Sequence, residues 1–315
     1  MSLYRLVGVT TPQAADKLIA SGATLAGEPL FVTRYPGLAA LRVRADHSVP
    51  ADMATFQRQQ AAALAAGALL PASFDNPLID EVETLRVLAV GHARLSHALD
   101  VFSALRQYRI VVSWNPVVAM AHCATQGDFK LALSESDGDQ QARSRMIAHL
   151  MDGARTRLGS AAMLTLRGAA AAIVSDAAGS DTTVANLVVL IERAKEATFD
   201  SALEDVYASF PDLSIEQLGP QPPAVFATVV IERPSARDIA EAKLTLQVDT
   251  LDADALQSVY QRLGRTMSQD AALRASVTKA YRLLERLEEA NRAGGDRNEP
   301  ILVDLVDAGG GRWAA

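Results

Sequence analysis

Gly219-Pro220-Gln221-Pro222-Pro223-Ala224-Val225-Phe226 separates stretches of opposite character, and its reading decides how the C-terminal half folds. Three prolines fix φ and remove backbone donors, so the run suits neither a helix interior nor a central strand. Gly219, just ahead of them, can take a φ closed to other residues. The run therefore reads as a stiff corner between strands. Downstream, 225–231 is β-branched and apolar, as in a buried strand. Upstream, Leu213-Ser214-Ile215-Glu216 alternates as a half-buried strand does. Phe199, Leu203, Val206 and Phe210 fall at i, i+4, i+7 and i+11, the stripe of an amphipathic helix. Before them, 184–191 is nearly all apolar and fits a central strand. Strand, helix, strand, corner and strand make up the pattern of a ferredoxin-like half.

Outward from this unit, 116–180 reads as helical, with a polar break at Ser134-Glu135-Ser136-Asp137-Gly138-Asp139 expected to link two domains. At the other end, Tyr4-Arg5-Leu6-Val7-Gly8-Val9 is a strand, and Thr11 with Pro12 opens a short helix. Strands at 30–34 and 38–44 join across Tyr35-Pro36-Gly37; Leu41 and Val43 are expected on a buried face, Arg42 and Arg44 on a wet one. A helix over 52–66 is stopped by Gly67 and Pro71. Asn76-Pro77 reads as the cap and first turn of the next helix. A strand at 109–114 then closes the domain. Past Pro234, Ser235 and Asp238 resemble a capping box. Leu256, Val259 and Leu263 stripe one helix, and Leu273, Val277, Leu284 and Leu287 another, giving a helical hairpin over 235–292. The expected class is α+β. An N-terminal α+β domain spans 1–115, a helical linker 116–140, and a ferredoxin-like α+β domain with leading helices 141–233. A helical C-terminal module follows over 234–293, and a glycine-marked flexible tail over 294–315.

Charge and composition narrow the function. Lys and Arg total 30 against 37 Asp and Glu, a net −7, which argues against a nucleic-acid binder. Cys123 stands alone, so neither a disulfide framework nor a multi-cysteine metal site is available, and a reducing cytoplasmic setting is expected. The longest uncharged apolar run, 61–74, is interrupted by Pro71 well short of the ~20 residues a membrane span needs. The first ten residues lack the features of a targeting segment.

Catalytic constellations do not emerge. His92 and His97 lie five apart on a helix, so they point about 140° away from each other. His122 and Cys123 are adjacent, and adjacent helical side chains diverge. Asp80, Glu81 and Glu83 cluster where a helix N-terminus favours negative charge anyway. Arg282, Glu285, Arg286, Glu288 and Glu289 read as a solvated face with i,i+4 pairs. Trp114 ends a strand and reads as a core or rim aromatic. No catalytic residue, cofactor or metal is expected.

Two stretches resemble the GvpL/GvpF family of gas vesicle proteins. Leu69-Leu70-Pro71-Ala72-Ser73-Phe74 is similar to the family's apolar-apolar-Pro-x-Arg-Phe-Gly, with Ser73 in place of Arg and Asp75 in place of Gly. The corner at 219–226 is similar to the family's Gly-Pro-Trp-Pro-Pro-Tyr-x-Phe, with Gln221 and Ala224 replacing two aromatics. With the order of elements, the resemblance covers about 1–232. Its motif residues here are Pro71, Phe74, Gly219, Pro220, Pro222, Pro223 and Phe226, read as structural. The resemblance implies a non-enzymatic accessory protein of gas vesicle formation. It would bind the small apolar shell subunit during assembly and work with other gas vesicle accessory proteins. Residues 255–263 and 279–284 carry a fainter echo of a J-domain, but Thr266-Met267-Ser268-Gln269-Asp270 stands where its His-Pro-Asp would be. The alternative reading is a small-molecule-binding regulatory protein, on fold analogy.

Overall fold

The computed structural model describes residues 2–45, 52–115, 117, 120, 131, 140–176, 180, 182–210, 212–266, 270–296 and 299–309. The chain first lays down β1 (Tyr4–Thr10), α1 (Pro12–Ala20), β2 (Thr24–Leu25), β3 (Glu28–Tyr35), β4 (Leu38–Arg44), α2 (Met53–Ala66), β5 (Leu69–Pro71) and α3 (Glu81–Ser103). Next come β6 (Leu105–Trp114), α4 (Gln140–Arg167), β7 (Ala172–Ser175), β8 (Thr183–Glu192), a 3-10 turn at Arg193–Lys195, α5 (Glu196–Ser209) and β9 (Leu213–Gln221). Last are β10 (Thr228–Glu232), α6 (Ala236–Leu246), α7 (Ala253–Thr266), α8 (Ala271–Arg292) and β11 (Leu302–Val306). This mixed α+β chain divides into two compact units, Met1–Ser103 with Pro223–Ala315, and Ala104–Pro222. The second unit is thus an insertion, entered after Ser103 and left before Pro223.

In the first unit an antiparallel sheet runs β2-β3-β4-β1-β5. Gly8 on β1 is required there: a Cβ would lie 2.6 Å from the Leu70 carbonyl oxygen of β5. Six consecutive residues of β4 are buried, so both faces of this inner strand are covered. That overturns the expected wet face at Arg42, which is 2% exposed, while Arg44 is exposed as expected. The Arg42 guanidinium lies 4.4 Å over the Tyr4 ring and donates to Thr84 Oγ1 at 3.4 Å. Burial pulls the Arg42 pKa down, and Glu81, Tyr4 and Asp80 oppose that pull.

Helix starts follow their capping residues. Thr11 accepts from the Ala14 N–H ahead of Pro12, and Asp52 accepts from the N–H groups of Ala54 and Thr55. Ser235 and Asp238 form the expected capping box. Asn76, in contrast, caps nothing. The segment after it stays extended, pairing Ile79 with Tyr4 of β1, and α3 begins at Glu81. The acidic cluster closes that start reciprocally: the Glu83 N–H donates to Asp80 Oδ1 at 2.8 Å, and the Asp80 N–H donates to Glu83 Oε2 at 3.0 Å.

The C-terminal stretch also differs from expectation. It forms three helices rather than a two-helix hairpin, with a core of Leu246, Leu256, Val277, Leu284 and Leu287. What read as a tail contains β11, whose residues Leu302, Val303, Asp304 and Leu305 are all buried. β11 pairs antiparallel with β10, and a single parallel bridge, Ala72 to Val229, ties β10 to the end of β5. Gly91 of α3 sits so near β11 that a Cβ there would lie 2.9 Å from Val303 Cγ1. Flanking glycines disguise this short apolar strand, because its partners are distant in sequence.

The second unit holds an antiparallel sheet in the order β7-β8-β6-β9. Ile110, Val112 and Trp114 of β6 and Leu187, Val189 and Ile191 of β8 meet Ala154, Ala162 and Leu166 of α4. Phe199 and Val206 of α5 complete this core, as the amphipathic stripe required. α4 approaches β8 closely where its side chains are small; a Cβ on Gly159 would lie 2.7 Å from the Val184 carbonyl oxygen. The boundary expected near 115 therefore fails. β6 does not close the N-terminal domain but is an inner strand here, hydrogen-bonded along its length to β8 and β9. The strand past the corner, β10, belongs to the other unit. Most of the expected linker, 116–140, lies outside the described residues.

Candidate functional site

Leu69, Leu70, Pro71 and Ala72, from the first motif stretch, form the buried end of the five-stranded sheet, with Pro71 opposite Gly8. Phe74 follows under the Arg5 guanidinium, 4.7 Å from its ring, and Arg5 donates to the Phe74 carbonyl at 2.8 Å. Phe56 of α2 meets the same ring edge-on at 5.4 Å. Burial draws the Arg5 pKa down, and the nearby Asp75 carboxylate works against it.

The corner is divided between the units. Gly219 has φ of 139°, and a Cβ there would lie 2.9 Å from Tyr108 Cδ1. Only glycine fits that combination without strain. The Gly219–Pro220 bond is cis. Gly219, Pro220 and Pro222 belong to the inserted unit, whereas Pro223 and Phe226 belong to the first. The Pro223 carbonyl accepts from the N–H groups of Phe226, at 3.0 Å, and Ala227, at 2.8 Å, so the chain turns at once into β10.

Within the first unit the first stretch meets β10, the strand that follows the corner. The Ser73 N–H donates to the Val229 carbonyl at 2.9 Å. Asn76, 7% exposed, donates to the same carbonyl at 3.0 Å and accepts from the Ile231 N–H at 2.9 Å. Its amide thus stands in for a strand residue across a gap of more than 150 positions. The Asn-Pro dipeptide that suggested a cap could not show this, because the partner lies beyond the whole insertion.

Sequence reasoning also missed a charged cluster in this unit. Asp304 of β11 lies between Arg94 of α3, at 3.1 Å, and Arg286 of α8. Arg286 reaches Glu232 at 2.8 Å, and Arg94 reaches Glu289 at 3.3 Å and the Val303 carbonyl at 2.7 Å. The helical i,i+4 reading placed Arg286 on a solvated face. In the fold its side chain is only 15% exposed.

The remaining candidates are dispersed. His92 Nε2 lies 2.9 Å from the Pro36 carbonyl and its ring packs edge-on against Tyr35. Trp114 is buried in the core of the inserted unit. His122 and Cys123 lie outside the described residues. Among the described residues, no group of three or more His, Cys, Asp or Glu is placed to hold a metal ion, and no helix is long and apolar enough to cross a membrane. What this geometry offers is surface for association. β9 ends the sheet of the inserted unit as a nine-residue strand, mostly exposed. At the other sheet, β2 covers only the first two residues of β3.

Comparison with known proteins bears on what such surfaces serve. The family model described as "Gas vesicle synthesis protein GvpL/GvpF" matches residues 6–228, a range that contains both motif stretches. "Gas vesicle protein L2" of Halobacterium salinarum is 29% identical over 182 residues, which span 51% of this chain and 64% of that protein, less than two thirds of its length. The crystal structure of the gas vesicle protein GvpF from Anabaena sp. PCC7120 superposes with a TM-score of 0.58 at 16% identity, over 71% of this chain and 97% of that one. GvpF from Microcystis aeruginosa gives 0.52 at 17% identity, over 70% and 97%. At such identities the structural likeness speaks for the fold alone, but the sequence match extends through β1, the Leu-Pro strand, the inserted sheet and the corner. The chain belongs to the GvpL/GvpF family of gas vesicle synthesis proteins.

Proposed function

We propose that this protein is a non-enzymatic accessory factor of gas vesicle formation that binds the small apolar shell subunit during assembly. The family match over 6–228 carries the reading. A subunit that polymerises through apolar surface would aggregate if left free, so a companion must cover that surface reversibly. Extended or helical apolar segments are covered by strand addition at a sheet edge or by a groove between helices. The outer edges of β3 and β9 and the helices after Pro234 supply both kinds of surface. The net charge of −7 keeps such a complex soluble. Its place of action would be at the gas vesicle, alongside other accessory proteins. The motif residues Pro71, Phe74, Gly219, Pro220, Pro222, Pro223 and Phe226 serve as scaffold in this reading. The inserted unit's strand order, with α4 and α5 in its connections, supports the ferredoxin-like assignment.

Co-expression of the full chain with a gas vesicle shell subunit, followed by affinity purification of the full chain, tests the proposal. Retention of the shell subunit is expected. Absence of retention, with the shell subunit expressed and soluble, would remove the assembly mechanism.

A further inference from the structure

We propose that a second copy of this chain docks its helix α5 into the groove between α6 and α8, and that the protein self-associates through this contact. The groove encloses about 1110 Å³. Its α8 wall runs from Ala271 to Arg286, about 22 Å at a helical rise of 1.5 Å per residue. Ala242, Ala275 and Thr278 keep its lining low between the walls.

Several of the groove's charges are already engaged. Glu232 pairs with Arg286, Arg233 pairs with Glu83 at 2.6 Å, and Asp238 closes the capping box on Ser235. Lys279 acts on the Asp238 carboxylate, and what remains is Arg274 and Arg282 on the α8 wall, with Glu241 opposite. Both arginines are exposed. Among the described residues, neither Arg274 nor Arg282 makes an ion pair. On a molecule of net charge −7 this is a local positive trough, and it fits an acidic helix.

α5 is a helix of that chemistry. Its 14 residues include Glu196, Asp200, Glu204 and Asp205 and no Lys or Arg. Asp200, Glu204 and Asp205 are exposed, and Tyr207, three residues past Glu204, is 58% exposed. The helix is about 21 Å long, matching the groove. Arg274 and Arg282 stand about 12 Å apart along α8 and Asp200 and Glu204 about 6 Å apart along α5, a difference that the long arginine side chains span by converging. Tyr207 supplies the large aromatic that commonly anchors such contacts. Groove and helix are different surfaces, so the contact is heterologous, and it either closes on itself or extends.

Sedimentation velocity of the full chain across micromolar concentrations, at low and high salt, measures the association. Reversible oligomers that weaken as salt rises are expected. Arg274→Glu with Arg282→Glu, and separately Asp200→Arg with Glu204→Arg, should each weaken association by about tenfold or more. An equimolar mixture of the two variants should regain it, because each supplies the half that the other lacks. Circular dichroism of each variant establishes that it is folded. A single-chain mass at every concentration overturns the proposal. So does association that either variant leaves unchanged, or a mixture that fails to recover.

Discussion

Asp304 shows how much one side chain contributes when burial and charge coincide. Its carboxylate is 5% exposed and faces two guanidiniums from helices distant in sequence. Such a pair gains little over a well-packed apolar alternative, because removing the charges from water costs nearly what their attraction returns. Removing one partner is different, since it strands the others. Asp304→Ala would leave Arg94 and Arg286 without their shared anion, and a loss of about 3 kcal/mol in denaturant unfolding is expected. A loss under about 1 kcal/mol would mean that water replaces the carboxylate at little cost. Tyr281 makes the second prediction at this scale. Burial, with a hydrogen bond to Glu285 at 2.8 Å, pushes its phenol up to about 12. The unfolded chain loses this proton near pH 10, before the folded one does, so the unfolded state is favoured as pH rises. The stabilisation is whole below pH 10 and is lost toward pH 12. Burial and the Glu196 carboxylate also raise the Tyr108 phenol, so ultraviolet titration should find late-ionising tyrosine, and Tyr281→Phe should remove its latest step. If all tyrosines ionise together near the ordinary value, the phenol is not held as described.

At the scale of elements, the corner lends itself to measurement. Pro222 and Pro223 limit the unfolded chain where it passes from one unit to the other. Replacing both with Ala keeps the Pro223 carbonyl, which accepts from Phe226 and Ala227, but frees two φ angles in the unfolded state. Stability should fall by about 1 kcal/mol. An unchanged denaturation midpoint would show that the prolines are dispensable to the fold. Local signals make this corner, the Ser235–Asp238 cap and the α5 stripe legible in the amino-acid sequence, because each depends on residues a few positions apart. Elements settled by distant partners are not legible there. Arg42 reads as wet because alternation assumes one solvated face, while β4 has helices against it from α1 and α3. Asn76 reads as a cap because its true partner is β10. β11 reads as tail because glycines flank it and its neighbours are β10 and α3.

The whole molecule carries the largest consequence of that long-range pairing. Residues before 104 and after 222 build one unit, so the C-terminal stretch is part of the N-terminal fold rather than an appendage. β10 holds Asn76 and Ser73, β11 covers Gly91 of α3, and Arg94 binds β11 through Asp304 and the Val303 carbonyl. Cutting the chain at Pro234 would remove β11 and three helices together, leaving apolar surface of α3 and one side of β10 bare. Loss of shell-subunit binding by such a truncation would therefore report unfolding, which is why point substitutions are the better probes. The same architecture predicts cooperativity between the chain's two ends. Val303→Asp puts a charge where Gly91 and α3 leave no room for water, an uncompensated burial expected to cost several kcal/mol, on the order of 3. Hydrogen exchange followed by mass spectrometry should then show peptides of β1 and β4 losing protection together with those of β10. Native-state exchange of the unsubstituted chain should likewise place these segments in one unit with similar opening free energies. If β10 and β11 open well before β1 and β4, or if Val303→Asp leaves the N-terminal sheet as protected as before, the ends fold independently and the shared unit is only spatial.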